Sequence, residues 1–160
     1  MKIFSLLATI LLAPALTAAT FTVTSLDGGT ASGTFRWAID QTNASPGPHV
    51  IDLTALDGVI SLPVRTAPLF QEVRISGPGA ARLKLLSQSG ENIVLNSVGN
   101  QKTTIENLTL EAAGTPATLG RGGAVLTSGP LTLRNCHIRN FHGLDGGGAY
   151  SGGTLFASGC

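Results

Sequence analysis

From residue 50 onward the apolar side chains fall in short groups, each broken by Gly, Pro, Asn or Ser. The groups are Val50-Ile51-Asp52-Leu53, Val59-Ile60-Ser61-Leu62, Val73-Arg74-Ile75, Leu83-Lys84-Leu85, Ile93-Val94-Leu95, Ile105-Glu106-Asn107-Leu108-Thr109-Leu110, Leu131-Thr132-Leu133 and Leu155-Phe156. Each is long enough for one strand of roughly three to six residues and too short for a helix. Ahead of them, Phe21 and Val23 alternate with Thr20, Thr22 and Thr24. This predicts a half-buried strand over 20–25, closed by the turn-forming Asp27-Gly28-Gly29. One amphipathic helix is predicted over 34–44. Thr34 serves as its N-cap, Phe35, Ala38, Ile39 and Thr42 lie on one face, and Pro46-Gly47-Pro48 stops it. Trp37, the only tryptophan, is expected to cover apolar surface at one end of the fold.

Many short strands suggest a sandwich, a barrel or a solenoid, and internal repetition separates these. Gly122-Gly123-Ala124-Val125 is echoed further along by Gly147-Gly148-Ala149-Tyr150. A Gly-containing turn and an apolar strand follow each, and Cys136 and Cys160 close the two units. An earlier unit aligns Ile105 with Leu133, Asn107 with Asn135 and Leu108 with Cys136, and Ile75-Ser76-Gly77 lies one step further back. A period of roughly 24 to 30 residues with three short strands is the pattern of an all-β, parallel β-helix, right-handed by the general bias of parallel connections. Stacked coils would set like residues about 4.8 Å apart in continuous interior ladders. Asn107 and Asn135 are placed to bond neighbouring turns, and the strand and helix before residue 48 to cover the N-terminal end.

The first residues read as an address. Lys2 is the only charge before Asp27, residues 3–12 are almost wholly apolar, and small residues follow Pro14. That is the form of a secretory signal peptide over 1–19, cut after Ala19 or Ala18; a retained anchor or a buried helix is the competing reading. The expected organisation is therefore a leader at 1–19, a cap at 20–48 and coils at 49–160. Without Lys2, nine basic residues balance nine acidic ones. Such a balance leaves no electrostatic grip for nucleic acid or anionic lipid. Charged residues make up 12% and apolar ones 42%, which argues against disorder, and no membrane span is expected after leader removal.

Residues 21–25, Gly33-Thr34-Phe35-Arg36-Trp37-Ala38-Ile39 and Asn43-Ala44-Ser45-Pro46-Gly47 resemble the N-terminal cap of bacterial secreted right-handed parallel β-helix (pectin-lyase-like) proteins. The Leu-Arg-x-Ala-Ile core of CSLREA-type caps reads Phe35-Arg36-Trp37-Ala38-Ile39 here, without that motif's Cys and Glu. Ile75-Ser76-Gly77-Pro78-Gly79-Ala80 resembles the next shared element. The two Gly-Gly-Ala units resemble repeats of polymorphic outer-membrane-type surface proteins, without the companion Phe-x-x-Asn. The resemblance implies the fold and an exported or cell-surface location. It leaves activity open among lyases, hydrolases, adhesins and passive surface proteins.

Candidate chemistry is sparse. Cys136 and Cys160 form an even pair in an exported chain, so a disulfide across adjacent coils and a pair of small buried ladder residues stand as equal alternatives. His137, Arg139, His142 and Asp145 cluster in sequence, but alternation turns His137 outward and reads them as solvated coil surface rather than a metal site. Leu144-Asp145-Gly146-Gly147-Gly148 reads as corner glycines rather than a calcium repeat. Gly120-Arg121-Gly122-Gly123 lacks the Lys-Ser/Thr of a phosphate loop, and no cofactor is expected. Asn107-Leu108-Thr109 is a glycosylation sequon. Asp52, Asp57, Glu106, Glu111 and Asp145 are the acids on coil segments, and no two are adjacent. Catalysis on this fold needs convergent carboxylates or calcium-binding acids, so no catalytic residue is assigned, although separate coils can bring scattered acids together.

The expected function is an exported or surface-displayed β-helix module with a structural, adhesive or carbohydrate-contacting role, its partner a surface polysaccharide or host-surface glycan. The alternative is the N-terminal part of a polysaccharide lyase or glycoside hydrolase whose catalytic coils follow residue 160. A globular β-sandwich, in which the period is accidental, is the third reading and predicts antiparallel pairing. The sequence stops inside what reads as a repeat. The expectation is a chain truncated at its C-terminal end, with further coils or a capping partner as the two ways to cover the last one.

Overall fold

The computed structural model describes residues 18–88, 94–114 and 123–160. Residues 1–17 of the predicted leader, Ile93, and the segment Gly120-Arg121-Gly122 lie outside the described residues. The chain winds into a parallel β-solenoid of about four turns with three sheets. The first turn carries β2 (His49–Asp52) and β3 (Gly58–Leu62), and the second β4 (Val73–Ser76), β5 (Leu83–Ser87) and β6 (Leu95–Ser97). The third carries β7 (Thr103–Glu106), β8 (Thr109–Ala112) and β9 (Val125–Thr127), and the fourth β10 (Leu131–Arg134), β11 (His137–Arg139) and β12 (Ala149–Ser151). A fifth turn begins with β13 (Leu155–Ser158), and β1 (Ala19–Thr22) precedes them all.

Sheet A stacks in the order β1-β2-β4-β7-β10-β13, sheet B β11-β8-β5-β3, and sheet C β12-β9-β6. Leu69 supplies the first-turn rung of sheet C through a parallel bridge to Ser97. Every named strand pair among the described residues is parallel, which excludes the antiparallel sandwich. In sheet A, His49 stacks on Val73, Val73 on Thr103, Thr103 on Leu131 and Leu131 on Leu155, so every step stays within the period that the repeat predicts.

Period-two alternation decides what fills the interior. Ile51, Ile75, Ile105 and Leu133 form one continuous ladder, and Ile60, Leu85 and Leu110 form another in sheet B. All seven are buried. At the corner after sheet A the chain must turn within one residue. Asn107 and Asn135 do so with φ of 58° and 50°, a conformation in which Asn is among the few tolerated side chains. Asn135 Nδ2 donates to Asn107 Oδ1 at 3.1 Å, the predicted bond between turns. This corner splits the predicted group 105–110 into β7 and β8.

One expectation is corrected. The first strand spans Ala19–Thr22 rather than 20–25, because its partner β2 ends at Asp52. Val23 N–H still donates to Asp52 O at 2.9 Å, after which Thr24 and Ser25 N–H both turn to Gly33 O. The Gly-Gly-Ala units do not stack motif on motif. Val125 lies on Ala149, one residue short of the spacing between the two motifs. Alternation enforces the shift: motif-on-motif stacking would place Tyr150 in Val125's interior column, whereas the observed register aligns it with half-buried Leu126.

The cap forms as the residue pattern predicts. Helix α1 (Phe35–Asn43) buries Phe35, Ala38, Ile39 and Thr42, and Thr34 Oγ1 accepts the Trp37 N–H at 3.3 Å. Phe21 meets Trp37 edge to face at 6.3 Å between ring centroids. At the helix end, Asn43 Nδ2 donates to Pro68 O at 2.7 Å and Asn43 Oδ1 accepts from Phe70 N–H at 3.1 Å. The helix is thereby tied to the third side of the first turn. The loop between β1 and α1 passes so close to β3 that a Cβ on Gly28 would collide with Ser61 O, so only glycine fits there.

Candidate functional site

Alternation that sends Leu and Ile inward sends polar side chains outward, and stacking brings residues far apart in sequence side by side. On sheet B the outward row Val59, Lys84, Thr109, His137 runs beside the row Ser61, Leu86, Glu111, Arg139. These rows border a groove of about 480 Å³, lined among others by Asp57, Arg82, Lys84, Thr109, His137 and Arg139. Glu111 Oε2 is shared by Lys84 Nζ at 2.9 Å and Arg139 Nη2 at 3.3 Å. Arg82 Nε donates to Asp57 Oδ2 at 3.0 Å. Three permanent cations thus face two carboxylates, a small positive surplus before His137 is counted. Thr109 Oγ1 donates to Ala80 O at 2.7 Å and fixes the loop that forms one wall.

Sheet A carries a second, smaller groove of about 190 Å³ between Arg74, Lys102, Thr104, Glu106, Thr132 and Arg134. Glu106 is buried although it points outward, because Arg74 and Ser76 close over it. Its Oε1 accepts from Arg74 Nε at 3.0 Å, from Arg74 Nη2 and from Ser76 Oγ at 3.0 Å. A carboxylate with these partners serves as a structural acceptor.

Asp52, Asp57, Glu106 and Glu111, singled out in the sequence, each find a local use. Asp52 Oδ1 accepts from the N–H and hydroxyl of Thr54, Asp57 pairs with Arg82, Glu106 with Arg74, and Glu111 with Lys84 and Arg139. His137 and Arg139 share β11 and face the sheet B groove, while His142 and Asp145 follow in the connection to β12. Among the described residues no three His, Cys, Asp or Glu side chains converge to hold a metal ion, and no helix is long and apolar enough to cross a membrane.

Arg82 and Lys84 were not singled out as site residues from sequence. Their signal is a stacking one: Lys84 lies directly beneath Thr109, and Thr109 beneath His137. Aligning the strands rather than searching for motifs brings them together.

Cys136 and Cys160 occupy the same rung on successive turns, since the β10–β13 register pairs Arg134 with Ser158 two residues before each. Cys136 is buried and Cys160 exposed, and both are reduced in this structure. Cys136 N–H points at Cys160 Sγ, 3.5 Å away. Each thiol donates to the carbonyl two residues before it, Arg134 O and Ser158 O, both at 3.3 Å, so the two side chains share one orientation. Burial pushes the Cys136 thiol up to about 11.

No family model, curated protein or solved structure matches this chain.

Proposed function

We propose that this chain is a module of an exported, surface-displayed β-helix protein that contacts acidic carbohydrate along the outer face of sheet B. The observation that carries the reading is the groove itself: Arg82 and Lys84 of the second turn and Arg139 of the fourth line one open channel with Thr109 of the third turn and His137 of the fourth. An extended polymer laid along the solenoid axis would meet one rung per turn, about 4.8 Å apart. Charged hydrogen bonds to its carboxylates would come from the guanidinium groups and the ammonium. Export is supported by the leader-like pattern of residues 1–19, and surface display by the resemblance of the cap and the Gly-Gly-Ala units. The local pairing of Asp57, Glu106 and Glu111 favours holding over turnover in this segment.

The test is affinity electrophoresis of the full chain through acidic and neutral polysaccharides, with product release followed on the same polymers. Retardation by the acidic polymers that weakens about tenfold in Lys84→Ala/Arg139→Ala supports the reading, and so does loss of binding at high salt. Equal retardation of the double variant overturns the groove assignment. Product release would instead favour the lyase or hydrolase reading.

A further inference from the structure

We infer that Cys136 and Cys160 are an oxidisable pair, a covalent modification site that staples β13 to the turn beneath it. The two residues are consecutive rungs of one column, set by the Leu131–Leu155 to Arg134–Ser158 register. In-register strands put their Cα atoms roughly 4.8 Å apart, inside the window of about 4.4–6.8 Å that a disulfide spans. Both side chains already point the same way, and the Cys136 N–H reaches the Cys160 sulfur at 3.5 Å. With parallel side chains the Cβ atoms also stand about 4.8 Å apart, just beyond the roughly 3.5–4.5 Å of a disulfide, so bridging asks for side-chain rotation and a backbone approach of a few tenths of an ångström.

The site is also where a staple has most to hold. All four residues of β13 are exposed, and sheet A pairs that strand on one side only, with β10. Leu131 and Leu133 are buried by it, whereas Leu155 stands 49% exposed. Beyond backbone bonds, little side-chain burial keeps β13 in place.

Exposure sets the order of the chemistry. The Cys160 thiolate attacks one sulfur of a small disulfide oxidant and expels the other half as a thiolate, which takes up a proton. The Cys136 thiolate then attacks Cys160 Sγ, breaks that mixed disulfide and releases the second half as a thiol. The two cysteines lose two protons and two electrons in all, and the oxidant gains both. The closing step is limited by the buried partner. With the Cys136 thiol held near 11, only about a thousandth is thiolate at pH 8, so closure speeds up about tenfold per pH unit through the neutral range. Cys160 is the titratable group facing it. On the packed elements, Arg134 and His137 are exposed, Glu106 is held by Arg74, and Glu111 by Lys84 and Arg139.

In the cell the staple rests on the proposed export, because an oxidising compartment supplies the disulfide oxidant. The geometry is tested apart from that. The purified full chain is equilibrated with oxidised glutathione, quenched with acid at intervals from pH 7 to 9, and mapped by non-reducing peptide mass analysis. The expected result is a monomer in which the Cys136 and Cys160 peptides are joined. It should be preceded by glutathione on Cys160 alone, and the delay should shorten about tenfold per pH unit. Proteolysis after β12 should slow at least tenfold on oxidation and return to its reduced rate in Cys160→Ser. Glutathione persisting on Cys160 at pH 9, or dimers joined through Cys160, overturns the inference. The reduced wild-type chain controls for folding, so the outcome does not depend on the stability of a Cys136 variant.

Discussion

The first turn of the solenoid and the strand β13 are built on the same alternation and are covered differently in these 160 residues. At the N-terminal end the core runs on into the cap: Phe35, Ala38 and Ile39 from α1 are all fully buried, in the same cluster as Ile51 and Ile75. At β13, by contrast, Leu131 is 1% exposed and Leu155, one rung further along the same column, is 49% exposed. Their side chains and strand register are the same. Only the presence of a layer above differs. Burial in a solenoid is thus a property of neighbouring turns, and a side chain's contribution depends on whether its rung is internal.

The sharpest way to break this comparison is to truncate one aromatic on each side of it. Phe35→Ala removes a fully buried ring from under the cap and is expected to cost about 3–5 kcal/mol, enough to unfold a marginal domain. Urea unfolding of the full chain measures it. A loss below about 1 kcal/mol would mean that the cap is a loosely attached cover rather than the end of the core.

A smaller effect sharpens the comparison near β13. Asn135 holds φ of 50° at the corner between β10 and β11 in the fourth turn, and bonds Asn107 one turn below. Asn135→Ala keeps a β-carbon in the left-handed conformation but loses the polar side chain that makes it tolerable, at about 1 kcal/mol. Asn135→Gly removes that strain and loses only a solvent-accessible hydrogen bond, worth about 0.5 kcal/mol. Equal losses for Ala and Gly in the same unfolding measurement would assign the cost to the bond and not to the corner.

The fold was legible because its two determinants are local and repeated. Alternation set the faces of β4, β5 and β10, and the matching positions of Asn107 and Asn135 announced the corner. Thr34 with Phe35, Ala38, Ile39 and Thr42 announced the capped helix, because capping and amphipathicity are both written within a few residues. The register of the Gly-Gly-Ala units was not legible from the motif, for a physical reason. A glycine motif marks where the chain turns, while the stacking register is fixed by which side chains enter the interior, and Tyr150 aligns with half-buried Leu126 rather than buried Val125. The sheet B groove was hidden because its residues come from segments a full turn apart. Arg139 and Glu111 are joined only by the step from β8 to β11, and Lys84 and Glu111 only by the step from β5 to β8.

The smallest expected effect belongs to the other aromatic of the comparison. Phe156 is 52% exposed on β13, with the Arg134 guanidinium 6.0 Å from its ring centroid. That separation is at the outer limit of a useful cation–π contact, and the pair is wet, so the interaction is worth at most about 0.5 kcal/mol. Half of the ring already meets water, and its replacement leaves no cavity. Phe156→Ser should therefore shift the unfolding midpoint little, although Phe35→Ala shifts it far. Its larger consequence should be colloidal. An exposed Leu155–Phe156 pair on an edge strand offers both apolar surface and unpaired backbone groups, the two ingredients of edge-to-edge association. Light scattering at rising protein concentration should show less self-association for Phe156→Ser than for the wild-type chain. Unchanged scattering would mean that β13 is held apart by charge, the Arg134 guanidinium lying over the ring, rather than left open to pairing.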